Sequence, residues 1–185
     1  MRGEFFLLSE MFAGLTVEEA RRKAKEIMEE GKHFYTPSST AELQQCIMLV
    51  SAGLVTEIEV ICFCDIDLSD VTSQQINLLL GVVTRGVRLD NIELSASQTA
   101  AVFSSMCRLR VGILLGGGAE IDVAAATEAL REITGRVRGE RIMCWGDNSD
   151  KYRQGMEQWA GVLGWEYGYN WTEICHKNSS SCLIL

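Results

Sequence analysis

Apolar residues recur along this chain in two rhythms, and the switching between them predicts alternating strands and helices. Thr16-Val17-Glu18-Glu19 has the form of a capping box, with Leu15 placed to staple the turn, and opens a charged helix reaching about Gly31. Pro37, the only proline, breaks the pattern within Thr36-Pro37-Ser38-Ser39-Thr40. Ser39-Thr40-Ala41-Glu42 then opens a second helix whose Leu43, Cys46, Ile47 and Val50 fall on one stripe.

From residue 58 the two rhythms alternate. Ile61-Cys62-Phe63-Cys64-Asp65-Ile66-Asp67-Leu68 aligns with Val87-Arg88-Leu89-Asp90-Asn91-Ile92-Glu93-Leu94 at an offset of 26 residues. Positions one, three, six and eight are apolar in both. Each segment runs into a capping-box sequence, Thr72-Ser73-Gln74-Gln75 or Ser95-Ala96-Ser97-Gln98. The helices that follow present Ile76, Leu79, Leu80 and Val83, then Ala100, Val102, Phe103 and Met106. A third unit comprises Val111-Gly112-Ile113-Leu114-Leu115 and a helix from Asp122 carrying Ala126, Leu130 and Ile133. A fourth comprises Ile142-Met143-Cys144-Trp145 and a helix carrying Met156, Trp159, Ala160 and Leu163. Trp165, Tyr167, Tyr169 and Trp171 alternate as on a strand and read as an aromatic cap over the last unit. The division expected is a helical cap over 1–38, strand-helix repeats over 39–174 and a tail over 175–185.

One strand and one helix per 20–29 residues is the pattern of leucine-rich repeats. Val87-Arg88-Leu89-Asp90-Asn91-Ile92-Glu93-Leu94 resembles that family's L-x-L-x-x-N/C-x-L core, with Asn91 one place early and Ile92 in its usual slot. The helical halves resemble the ribonuclease-inhibitor type, found at the sensing end of nucleotide-binding innate-immune receptors. The resemblance covers roughly residues 42–165 and is strongest in the first two units. Gly116-Gly117-Gly118 and Gly146-Asp147-Asn148 stand where the ladder asparagine belongs. It implies a short solenoid of parallel strands, protein binding through the strand face, and a role in immune recognition or signalling. The outward strand positions would be Cys62, Cys64, Arg88, Asp90, Gly112 and Leu114. A doubly wound α/β sheet is the alternative, since strands alternating with helices also fit it.

Charge narrows the partners. The net charge of −8 repels a phosphate backbone, and the basic run Arg21-Arg22-Lys23-Ala24-Lys25 is hemmed by glutamates. A protein partner is therefore expected, and no nucleic acid. The opening Met1-Arg2-Gly3-Glu4-Phe5-Phe6-Leu7-Leu8-Ser9-Glu10 segment is too short and too acidic for a secretory signal, and no apolar run reaches the ~18 residues of a membrane span. Cytoplasmic location and reduced thiols at the seven cysteines follow as expectations. Cys182-Leu183-Ile184-Leu185 matches the prenylation pattern, making Cys182 the lipidation candidate and its lipid the sole expected membrane tie.

Candidate chemistry is sparse. Gly116-Gly117-Gly118 sits between strand and helix, where backbone N–H groups hold anions, yet it lacks a following Gly-Lys-Ser/Thr. Its plainer reading is a turn needing positive φ. Asp65, Asp67, Asp70, Asp90, Glu93, Glu120, Asp122, Asp147 and Asp150 cluster after the strands. Converging on a divalent ion, they would support hydrolysis of phosphate compounds or nucleotides; otherwise they serve helix N-termini. Cys62 and Cys64 share a strand face but lack the partners of a zinc site. No catalytic residue, cofactor or metal is assigned. The binding surface expected comprises Arg88, Asp90, Asn91, Gly116, Gly117, Gly118, Asp147 and Asp150, with the hydrolase as the alternative function.

Overall fold

In the computed structural model, residues 14–29, 34–146, 148–167 and 172–176 are described. Helix α1 (Val17–Glu29) precedes a two-residue strand, β1 (Phe34–Tyr35), and helix α2 (Thr40–Ser51). Then follow β2 (Ile58–Cys64), α3 (Ser73–Leu80), β3 (Val83–Asp90), α4 (Ala96–Ser104), β4 (Gly112–Leu115), α5 (Val123–Ile133) and β5 (Arg141–Cys144). A single turn, α6 (Asn148–Lys151), leads into α7 (Arg153–Leu163) and two short strands, β6 (Glu166–Tyr167) and β7 (Glu173–Cys175).

The strands form one seven-stranded α/β sheet in the order β1-β2-β3-β4-β5-β7-β6, which does not close into a barrel. β1 to β5 are parallel, and β7 and β6 run antiparallel at the end. A doubly wound sheet reverses its strand order at a switch point. Here the five parallel strands lie in chain order, so that alternative falls. Right-handed crossovers between neighbouring parallel strands place their helices on one face. Accordingly α2, α3, α4, α5 and α7 contact one another in succession.

Register explains the sequence offset. Tyr35 pairs with Ile61, Ile61 with Val87, and Val87 with Ile113, each a step of 26; Ile113 then pairs with Ile142. These residues face the helical layer and are buried, as are Phe63, Leu89 and Leu115. Residues between them point to the other face. The reading of 61–68 and 87–94 as strands runs too far, and Val83 opens β3 instead of closing a helix. The physical reason lies at Asp65 and Asn91, whose φ of 54° and 46° turn the chain out of the strand. β1 lies within the segment read as a helical cap, and Cys175, read as the start of the tail, ends β7 opposite Arg141.

Helix starts are locally encoded. Thr72 and Ser95 form full capping boxes with Gln75 and Gln98, and Asp122 caps α5 by accepting from the Ala125 N–H at 2.8 Å. Each such cap contributes about 1 kcal/mol. Gln98 does more: its buried Nε2 donates to the carbonyls of Leu68 (2.7 Å) and Val71 (2.6 Å), tying one unit to the previous one. In the core between α4, α5 and α7, the Phe103 and Trp159 rings meet at 4.9 Å, and Trp159 Nε1 donates to Thr127 Oγ1 at 3.0 Å.

Candidate functional site

The sheet face opposite the helices is built in rows across the strands. Cys62, Arg88, Leu114 and Met143 are register partners, so their side chains emerge side by side. Arg88 is exposed, while Leu114 and Met143 are half-buried. One step toward the C-terminal ends come Cys64 and Asp90, again register partners, and beyond β5 the Trp145 side chain is 66% exposed. Gly112 is buried and presents no side chain.

Asp90 is the hub of this face. Its Oδ2 accepts from Arg88 Nε and from the Cys64 thiol, the latter at 3.4 Å. Its other oxygen lies over Gly116, where a Cβ would sit 1.4 Å from Asp90 Oδ1. Asn91 donates through Nδ2 to Asp65 Oδ1 at 2.5 Å and through its backbone N–H to the Gly117 carbonyl at 2.8 Å. Gly118 has φ +69°, and a Cβ there would approach Asn91 Oδ1 to 2.8 Å. The glycine run is therefore shaped to receive Asp90 and Asn91. The space a phosphate would need over Gly116 already holds a carboxylate.

The thiols here are quiet. Burial, reinforced by the hydrogen bond to Asp90 and its charge, pushes Cys64 up to about 11. Burial likewise raises Cys62 and pushes Cys46 and Cys144 up to about 12. A thiol so shifted is protonated at neutral pH and a poor nucleophile. Cys46, Cys62, Cys64, Cys107 and Cys144 are free, as expected, whereas Cys175 is disulfide-bonded.

The acidic residues gather along one edge of the sheet, but among the described residues they do not close on a common metal-binding point. Asp122 caps α5, Lys151 pairs with Glu120 at 2.5 Å, and Asp150 is occupied by Arg153 at 2.8 Å. Asp67, Asn91, Glu93, Gly118 and Glu120 line a shallow open depression of about 280 Å³. Among the described residues no group of three His, Cys, Asp or Glu is placed to hold a metal ion. No family model matches the chain, and no curated protein is similar to it.

Of the expected surface, Arg88, Asp90, Asn91, Gly116, Gly117 and Gly118 come together, and Asp150 makes its contact elsewhere. Asp147, Tyr169, Trp171 and Cys182 lie outside the described residues. Trp165 is buried and meets His176 edge-on at 6.5 Å; Tyr167 is half-buried against the core. Two features escaped the sequence reading. The Cys64–Asp90 contact was available from the 26-residue offset, which puts those positions side by side. The exposure of Trp145 carried no signal, because an aromatic ending an apolar strand reads as core.

Proposed function

We propose that this chain is a protein-binding module, a short solenoid of leucine-rich-repeat type that engages its partner through the sheet face opposite the helices. The observation carrying the reading is that face itself: parallel strands in chain order, a single helical layer on one side, and Arg88, Leu114, Met143 and Trp145 presented on the other. An exposed aromatic beside half-buried aliphatics and an arginine has the composition of interface centres. The 26-residue step shared by the first three parallel pairings, followed by one of 29, supports the solenoid, since successive units repeat much the same backbone geometry.

Photo-crosslinking tests it. A benzophenone side chain replacing Leu114 or Trp145 should capture one and the same protein from a native extract. The same group at Leu78, exposed on α3, should not capture it. Adducts shared equally by all three positions, or found only at Leu78, would defeat the reading.

A further inference from the structure

The two ends of the strands carry opposite charge. Beyond the C-terminal ends of β2, β3 and β4, segments 65–73, 91–97 and 116–122 hold Asp65, Asp67, Asp70, Glu93, Glu120 and Asp122 and no basic residue. All except Asp122 are exposed, and among the five exposed carboxylates Glu120 is paired with Lys151 at 2.5 Å. At the opposite edge, where the chain enters β3, β4 and β5, stand Arg85, Arg108, Arg110, Arg136 and Arg138, all exposed, and they outnumber the exposed Glu140 in the same row, whose N–H donates to the Val111 carbonyl at 2.8 Å. Backbone hydrogen bonds hold these entries side by side: Arg110 N–H to the Thr84 carbonyl at 3.0 Å, Val111 N–H to that of Arg85 at 2.8 Å, and Arg138 N–H to that of Met106 at 3.0 Å. Arg85 pairs with Glu59 at 2.9 Å, and Arg136 donates to the Glu132 carbonyl at 2.8 Å. The guanidinium groups of Arg108, Arg110 and Arg138 have no partner among the described residues.

Arg85 and Arg110 each stand six residues before the acidic segments that open at 91 and 116, which is about 20 Å of extended chain. That exceeds the ~8–10 Å screening length, so neither edge neutralises the other. Both rows step from strand to strand by the same ~4.8 Å, because both belong to one sheet. The arginine row of one molecule therefore matches the carboxylate row of another in sign and in spacing. A long polyanion would match the sign but would meet the net charge of −8 over the rest of the surface.

We propose that the arginine ledge docks the acidic edge of a second copy, stacking chains head to tail along the strand direction. Such a contact is heterologous, so its length is open-ended.

Sedimentation of the full 185-residue chain tests this. In about 50 mM salt the weight-average mass should rise with concentration above the 20.5 kDa of one chain, and return to it at about 500 mM. R108S/R110S/R138S and D67N/E93Q/E120Q should each remain monomeric, with unfolding midpoints near that of the parent. Mixed in equal amounts, they should form a dimer and nothing larger, because each retains one intact edge. That complementation separates lost docking from misfolding. A parent chain monomeric at every low-salt concentration would overturn the proposal, as would association surviving in either variant alone. A monomeric parent that bound polyglutamate or a short duplex DNA through the arginines would overturn it too, by naming another occupant.

Discussion

Asp90 fills the space where Gly116 would otherwise carry a side chain, so two residues 26 apart share one volume beside the sheet. An alanine methyl at Gly116 would meet Asp90 Oδ1 at 1.4 Å and the Leu89 carbonyl at 3.2 Å. The carboxylate must then swing away, releasing Arg88 and the Cys64 thiol. Gly116→Ala should cost about 1–3 kcal/mol in urea unfolding, the range for overpacking a closed site. Asp90→Ala alone should cost about 1 kcal/mol, since Arg88 is half exposed and re-solvates. The double variant should be more stable than the sum by at least about 1 kcal/mol, because the clash needs both partners. Additivity would mean that the two groups do not meet.

Asn91 combines a side-chain bond to Asp65 with φ of 46°. Replacement by glycine keeps the backbone geometry and removes the bond; replacement by alanine loses both. Asn91→Ala should therefore be the less stable of the two by about 1 kcal/mol, the cost of the left-handed conformation for a residue with a Cβ. Equal unfolding midpoints would show that the turn relaxes out of positive φ.

Cys64 offers a chemical probe of the same hub. With its thiol pushed up to about 11, its thiolate fraction near pH 8 is about a hundredfold below that of an unshifted thiol at about 9. Iodoacetamide labelling followed by peptide mass spectrometry should find it correspondingly slow, accelerating as pH climbs toward 11. The Asp90 charge and hydrogen bond both favour the protonated thiol, so Asp90→Asn should lower the value and speed labelling at fixed pH. Slower labelling in that variant would contradict this electrostatic account.

How much of this was readable in advance follows from which forces are local. The caps at Thr72, Ser95 and Asp122 satisfy backbone groups within three residues, and all three helix starts stand in the sequence. The in-and-out alternation of Ile61 and Phe63 against Cys62 and Cys64 was equally plain. Strand ends were not, because Asp65 and Asn91 leave the strand by a backbone rotation that hydrophobic periodicity does not register. β1 and β7 are too short to show a period, and they exist because a neighbouring edge offers partners. The arginine ledge was invisible for a related reason. Arg108, Arg110, Arg136 and Arg138 are thinly spread along the chain and become a row only when the loops are laid side by side.

The antiparallel end of the sheet gives a prediction in pH. Arg141 on β5 and Glu173 on β7 approach to 3.4 Å, with side chains 19% and 15% exposed. The approach suffices for an ion pair, yet Arg141 Nε and Glu173 Oε1 lack an aligned hydrogen-bond partner. Burial raises the Glu173 carboxyl above its usual value, and the opposing pull of Arg141 does not cancel it. A carboxyl raised on folding binds its proton more tightly in the native state. Its stabilising contribution is thus complete below the unfolded value of about 4.3, and is lost as pH rises through the higher folded one. Glu173→Gln, which stays neutral, should match the parent near pH 4 and overtake it in stability as pH approaches 7. Arg141→Ala should behave oppositely at neutral pH, losing about 3 kcal/mol by leaving the carboxylate buried without its cation. Thermal unfolding of the three proteins across that range checks both signs. A parent that gained stability over Glu173→Gln as pH rose would show that the ion pair outweighs the burial of its carboxylate.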